Sequence, residues 1–220
     1  MDGNLWRENV RTFKEPAQTG FLNSDKAIKR GADILIATLA LLVLSPLLFV
    51  VALAIKLDSP GPVFFCQRRG GIGGRPFAIL KFRTLTVLED GPAIRQISRG
   101  DSRVTRVGRF LRRTSLDELP QLVNVLTGDM ALVGPRPHAL AHDEMYGRTV
   151  PDYSLRFAVR PGITGWAQVN GARGPTPMPS DMKRRLDFDV WYIEHRTLGL
   201  DVRILAVTVF AVLSGRMDSY

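Results

Sequence analysis

With 220 residues, 45% of them hydrophobic, the chain has room for one domain of ordinary size plus an appendage, and a mean hydropathy of +0.01 excludes a multi-span bundle. Lysine and arginine outnumber acidic residues 30 to 21, so the formal charge of +9 suits an anionic partner: nucleic acid, anionic lipid or a phosphorylated substrate. A single cysteine, Cys66, excludes an intrachain disulfide, cannot alone hold a structural zinc, and fits a reducing compartment.

Residues 1–23 carry no assignable pattern. Residues 24–58 are expected in the membrane, because Gly31 to Ile55 is apolar apart from Asp33 and exceeds the roughly 20 residues that cross a bilayer as helix. Lys26, Lys29 and Arg30 also suit the start of a signal peptide, but the run ends in Lys56-Leu57-Asp58 without a small-residue cleavage pattern. Within it, Pro46 removes a backbone donor, so a bend is predicted at Ser45-Pro46, and the Ser45 hydroxyl is placed to take up a carbonyl that the proline frees. Cations stand on both flanks, with Lys56, Arg68, Arg69 and Arg75 after the run, and do not choose opposite sides for its two ends. A helix that enters, bends and returns satisfies both flanks; a single kinked span is the alternative.

Residues 59–220 are expected to form a cytosolic, membrane-associated domain, entered through Asp58-Ser59-Pro60-Gly61-Pro62. Val63 to Arg68 and Arg75 to Arg83 read as a hairpin around Gly70–Gly74. A phosphate-cradling loop is disfavoured, since no Gly-Lys-Ser/Thr follows. Strand alternation puts Phe77, Ile79, Lys81 and Arg83 on one side, with the two cations roughly 7 Å apart. That spacing suits a diphosphate, or simply gatekeeping at a solvated edge.

Arg103 to Pro137 combines cations, paired carboxylates and rigid turns. Leu116, Leu119, Leu122, Val123 and Leu126 predict a helix of about three turns opened by Ser115 and stopped by Gly128. Ser115-Leu116-Asp117-Glu118 has the form of a capping box, and acids in a first turn are favoured by the helix dipole, so the pair has a purely structural explanation. Against it, Arg106, Arg109, Arg112 and Arg113 supply more positive charge than a cap needs and suit a polyphosphate facing the carboxylates. Asp117, kept ionised by the dipole, the arginines and any metal, is then a candidate phosphoryl nucleophile. Consecutive helical residues point about 100° apart, so one carboxylate can attack while the other holds a divalent cation. Magnesium suits this chain, which is rich in oxygen donors and poor in histidine and cysteine.

Gly134-Pro135-Arg136-Pro137 presents Arg136 from a stiff turn. Arg160 to Gly171 has the composition of a shaped loop whose glycines could expose amides to an anion, or of ordinary turns. Gly171 to Pro179 reads as either a mobile cover or a plain surface loop. His138 and His142 are four apart without a His-Glu-x-x-His pattern, so a solvated helix is expected there. Leu186 to Leu213 suits an amphipathic helix, either interfacial or packed on the domain.

Taken jointly, Ser45-Pro46, Lys81-Phe82-Arg83-Thr84, the run from Arg112 to Gln121, Gly134-Pro135-Arg136-Pro137, the run from Pro161 to Gly171, and Asp189-Val190-Trp191-Tyr192-Ile193 carry a specific resemblance. The chain after residue 24 resembles the bacterial sugar transferases, the monotopic polyprenyl-phosphate phosphoglycosyl transferases that start capsule, exopolysaccharide and O-antigen assembly. The resemblance implies an α+β, mainly helical fold, with a re-entrant membrane helix, a small catalytic domain containing a β-hairpin, and an amphipathic C-terminal helix. It implies a place on the cytoplasmic face of the bacterial inner membrane and a magnesium-dependent dyad of Asp117 and Glu118. Asp117 would attack the sugar-bearing phosphate of a UDP-sugar, expel UMP and hold a phosphosugar until undecaprenyl phosphate accepts it. Further site residues are implied at Lys81, Arg83, Arg112, Arg113, Arg136 framed by Pro135 and Pro137, Arg160, Gln168 and Asp189. Larger members carry a multi-span region before the stretch that starts near Lys26, so this chain is read as the minimal catalytic form. Sugar and homo-oligomeric state stay open. The rival enzyme reading transfers the sugar alone and releases UDP; a membrane-tethered protein that binds nucleic acid or anionic lipid is the rival from outside enzymology.

Overall fold

The computed structural model describes residues 23–86 and 100–215. Helix α1 (Asn23–Asp58) is followed by strands β1 (Phe64–Gly70) and β2 (Pro76–Phe82), then α2 (Arg106–Thr114), a 3-10 turn (Leu116–Glu118) and α3 (Gln121–Thr127). Strand β3 (Ala131–Val133), α4 (Leu140–Thr149), a 3-10 segment (Tyr153–Ala158), β4 (Gly162–Thr164), the short α5 (Trp166–Val169), α6 (Pro179–His195) and α7 (Leu198–Leu213) complete it. The mainly helical fold with a small hairpin matches expectation. The hairpin pairs β1 and β2 antiparallel, with Phe65 opposite Lys81 and Gln67 opposite Ile79, while β3 and β4 form a short parallel pair.

Helix α1 keeps its ends on the body and exposes its middle. Ala37 is buried in the main core with Val125, Leu132 and Ile204, and Val51 and Ile55 are buried against Phe82 and Leu111. Between them, Leu42, Val43, Leu47, Phe49 and Val50 are exposed, a row that the hydrophobic effect would not leave in water. Polar clasps fix both ends. Arg30 donates to the carbonyls of Val125 (2.6 Å) and Leu126 (3.0 Å), and Lys29 pairs with Asp201 at 2.5 Å. At the far end, Arg83 donates to the carbonyls of Pro60 and Ser59 (2.7 Å), and Asp58 accepts from the Val107 amide at 3.0 Å. Pro46 has no amide hydrogen for the Leu42 carbonyl, and the Ser45 hydroxyl donates to that carbonyl at 2.8 Å, as the sequence predicted.

The hairpin is locked to α3 by one side chain. Asn124 accepts from the Leu80 amide at 2.9 Å and donates to the Ala78 carbonyl at 2.8 Å.

The single helix expected from Ser115 does not form. Ser115 is left-handed (φ 57, ψ 15) and closes α2, its amide donating to the Arg112 carbonyl at 3.2 Å, and its side chain caps nothing in the turn that follows. The capping box is therefore absent: the Glu118 amide donates to the Ser115 carbonyl at 3.1 Å, the Glu118 carboxylate turns to Arg136 and Lys81, and the new helix begins only at Gln121. The C-terminal helix is likewise two helices, separated at Arg196 and Thr197, with the Thr197 hydroxyl capping α7 through the Leu200 amide at 3.1 Å.

Candidate active site

Two consecutive carboxylates lie in the tight turn between α2 and α3, each 7% exposed, and their surroundings are opposite in kind. Glu118 is gripped. Its carboxylate meets Arg136 through two bonds (3.1 and 2.5 Å), Lys81 at 3.0 Å, and Arg173 at 3.9 Å. Asp117 accepts no hydrogen bond from the described residues and borders the pocket. Lys81, Arg112, Arg136 and Arg173 line the same pocket, with Phe65, Phe82 and Leu85 as apolar wall.

The charge states follow from this division. Burial pushes the Asp117 carboxyl up to about 6, and the adjacent Glu118 charge adds to the rise, against the pull of Lys81 and Arg112. Of the causes expected to keep Asp117 ionised, the helix dipole drops out, since no helix starts at Ser115, while Lys81, Arg112 and Arg136 still favour the charge and the carboxylate predominates at neutral pH. Burial also raises the Glu118 carboxyl, but Arg136 and Lys81 overcome it and hold the group well below the usual carboxylate range. Lys81 is lowered to about 8 by its burial, with Glu118 opposing and Arg136 reinforcing the fall.

Arg136 is presented by a braced turn. Gly134 leaves β3 so close to the neighbouring chain that a Cβ there would lie 2.4 Å from the Arg160 carbonyl oxygen. The Gly162 amide donates to the Pro135 carbonyl at 2.9 Å. Arg156 donates to the Arg136 carbonyl at 2.5 Å and pairs with Asp189 at 3.1 Å, both ion-pair partners being nearly fully buried.

Not every residue expected at the site reaches it. Lys81, Arg112, Arg136, Pro137 and Asp117 line one pocket. Glu118 and Asp189 stand behind that lining. Arg83 borders the pocket beside Lys81, yet its guanidinium is spent on the helix-end carbonyls of Pro60 and Ser59. Arg113 is exposed, and so are Arg106 and Arg109; of the four arginines expected to face the carboxylates, Arg112 alone lines the pocket. Arg160 is exposed and donates to the Gly128 carbonyl at 2.8 Å, stopping α3. Gln168 is buried and donates to the Ile163 carbonyl at 3.4 Å, away from the pocket.

His138 is not on a solvated helix. It is buried between Arg156 and Arg185, and its imidazole, pushed well down by burial and by those two cations, meets the Tyr153 hydroxyl at 2.8 Å. The residue sequence reasoning missed is Arg173, whose side chain donates to the Ser115 hydroxyl at 2.9 Å beside Glu118. An arginine inside a run of glycine and proline was the available signal. That loop borders the pocket and is tied down: Arg185 donates to the carbonyls of Ala172 (2.9 Å) and Gly174, and Tyr146 to that of Thr176 (2.8 Å).

Among the described residues no cluster of three or more His, Cys, Asp or Glu side chains is present. Magnesium binds through one or two carboxylates plus substrate oxygens, and here the two buried carboxylates are the groups that would have to hold it. Asp117 is the carboxylate with uncommitted oxygens; Glu118 reaches a metal only by giving up a cation.

The family model for bacterial sugar transferases matches residues 24–215. The chain belongs to the bacterial sugar transferase family. This bacterial sugar transferase is 52% identical over 186 residues to the UDP-glucose:undecaprenyl-phosphate glucose-1-phosphate transferase of Escherichia coli K12, covering 84% of this chain and 40% of that protein. It is 54% identical to the protein of the same name from Caulobacter vibrioides, over 84% of this chain and 70% of the relative. The UDP-N-acetylgalactosamine-undecaprenyl-phosphate N-acetylgalactosaminephosphotransferase of Aeromonas hydrophila is 45% identical, over 86% and 44%. The sugar transferase described here thus spans less than half of two of these three relatives.

Proposed function

We propose that the chain transfers a sugar 1-phosphate from a UDP-sugar to undecaprenyl phosphate, releasing UMP and giving undecaprenyl-diphospho-sugar, as the first membrane step of polysaccharide or glycoconjugate assembly. The observation that carries this is the asymmetry of the two carboxylates: one neutralised by three cations, its neighbour uncommitted and facing a cationic pocket. An Asp117 oxygen attacks the sugar-bearing phosphorus, the bond to the bridging oxygen breaks, and UMP leaves with the electron pair. A phosphate oxygen of the lipid then attacks the same phosphorus and returns the Asp117 carboxylate. Arg112, Arg136, Lys81 and Arg173 neutralise the diphosphate as charge develops, and their fixed placement costs no reorganisation during the reaction. Magnesium, held by Asp117 and Glu118 with substrate oxygens, would add charge neutralisation on the departing nucleotide. The donor sugar is left open, because the relatives' names span glucose and N-acetylgalactosamine.

Covalent chemistry is tested by incubating the protein with sugar-labelled UDP-glucose and UDP-N-acetylgalactosamine without lipid acceptor. Label should remain on denatured wild-type protein and be lost in Asp117→Asn, with UMP as the nucleotide product. Release of UDP would favour transfer of the sugar alone and end this reading.

We also infer that α1 is re-entrant, with the catalytic body on the cytoplasmic face of the inner membrane. Support comes from both polar ends of α1 being clasped to one body while its middle is bare. With Cys66→Ser as background, Lys26→Cys and Lys56→Cys should both be labelled by an impermeant thiol reagent only from the cytoplasmic side. Labelling from opposite sides would establish a single span.

A further inference from the structure

Helix α2 carries three exposed cations, Arg106, Arg109 and Arg113, that do not line the pocket of the two carboxylates. At 100° per residue, Arg112, Arg109, Arg113, Arg106 and Phe110 follow one another in that order around roughly 160° of the helix. The buried side of the same helix, Val107 and Leu111, packs on Val51 and Ile55 of α1. The Phe110 edge of the exposed arc is therefore the one that adjoins Val107 on the α1 side, and Phe110 is 50% exposed, with Leu53 (52%) and Leu57 (80%) also exposed in the last turns of α1. The other edge is Arg112, which lines the pocket with Asp117.

The row is also uncompensated. On other helices some exposed cations have acidic partners one turn away, as in Arg148 with Glu144 and Lys183 with Asp187. Arg106, Arg109 and Arg113 form no ion pair among the described residues, and α2 has no acidic residue to offer them. Three neighbouring like charges repel one another, an arrangement that stabilises nothing in the folded chain and suits an anion arriving from outside.

We propose that this face of α2 is the entry track for the acceptor: a lipid-borne phosphate monoester whose hydrocarbon lies along the α1 edge at Phe110. Its headgroup passes Arg106, Arg113 and Arg109 to Arg112 beside Asp117. The proposal rests on the phosphosugar-transfer reading above and assigns α2 to its second half-reaction. Arginine suits the task, since its guanidinium matches phosphate oxygens two at a time and is less strongly hydrated than lysine.

The test compares wild type with Arg106→Gln/Arg109→Gln in phosphatidylcholine vesicles carrying undecaprenyl phosphate. Acceptor KM should rise about tenfold and become less sensitive to salt, as removal of a steering charge requires. Donor-dependent labelling of the protein without acceptor should be unchanged, which also shows that the variant is folded. Arg106→Lys/Arg109→Lys should recover most of the acceptor KM. An unchanged acceptor KM overturns the track, and so does loss of binding to phosphatidylglycerol vesicles alone, which would make the row a general membrane anchor. A fall in donor labelling overturns it too. Failure of the phosphosugar reading would show itself separately, as absence of label in wild type.

Discussion

Arg136 and Glu118 face each other fork to fork, with parallel bonds of 3.1 and 2.5 Å, although the arginine comes from a proline-framed turn after β3 and the glutamate from the turn before α3. Lys81 and Arg173 close on the same carboxylate, so one negative charge balances three positive ones. Removing that charge leaves three cations with Asp117 as their remaining acidic neighbour. Glu118→Gln is expected to lower stability by about 3 kcal/mol, the usual cost of breaking a buried ion pair. Chemical denaturation in detergent should read this as a lower midpoint; an unchanged midpoint would mean that the cluster is hydrated and weakly coupled.

The adjacent substitution has the opposite sign. Asp117 titrates near 3.8 when unfolded and near 6 when folded, so the folded state retains its proton to higher pH. Stability from this group is therefore lost as pH rises from about 4 to about 6, and it stays lost at neutral pH. Asp117→Asn should be more stable than wild type at pH 7.5, by about 1 to 3 kcal/mol, and the gain should vanish below pH 4. Melting curves across pH 4 to 8 check the sign. The same shift predicts that donor labelling of wild type rises between pH 5 and pH 7, as the nucleophile ionises.

Arg136→Lys keeps the charge and loses the fork. Stability should fall by only about 1 kcal/mol, while turnover drops roughly 100-fold, because a single ammonium cannot hold Glu118 and a phosphate oxygen in fixed geometry. Steady-state kinetics with UDP-sugar and lipid acceptor, beside a denaturation curve, separates the two effects.

Gly61 makes room for Arg83. Its φ of +122 is closed to ordinary side chains, and a Cβ there would stand 2.1 Å from the Arg83 guanidinium that clasps the end of α1. Gly61→Ala should destabilise the protein by about 2 kcal/mol or more, through backbone strain and loss of the clasp. Arg83→Lys should show a smaller loss, since a lysine still reaches one carbonyl. Equal melting temperatures for Gly61→Ala and wild type would refute the clasp.

Asp189 is placed behind Arg136, where burial pushes its carboxyl up to about 6 against the pull of Arg156. Asp189→Asn leaves Arg156 with Asp143 as its remaining acidic partner and removes a carboxylate whose ionisation is itself opposed by burial, so stability at pH 7.5 should change by less than about 1 kcal/mol, with donor KM little changed. A large KM effect with full stability would instead put Asp189 on the substrate.

Sequence alone determined the apolar helix and the Ser45 hydroxyl bond beside Pro46, the hairpin, and the stiff turn that presents Arg136, because hydrophobic runs, strand alternation and turn residues are local properties. Even locally it misjudged Ser115, where helical periodicity continued through a left-handed residue and Pro120 restarted the helix one turn later. Only the tertiary structure decided which cations serve which carboxylate. Lys81 and Arg173 lie 37 and 55 positions from Glu118, Arg83 turned to the end of α1, and Arg113 to solvent. Periodicity constrains which way a side chain faces on its own element and carries no information about what another element brings opposite it. Burial and charge pairing across the fold therefore settle which of two neighbouring acids is tied and which is left to react.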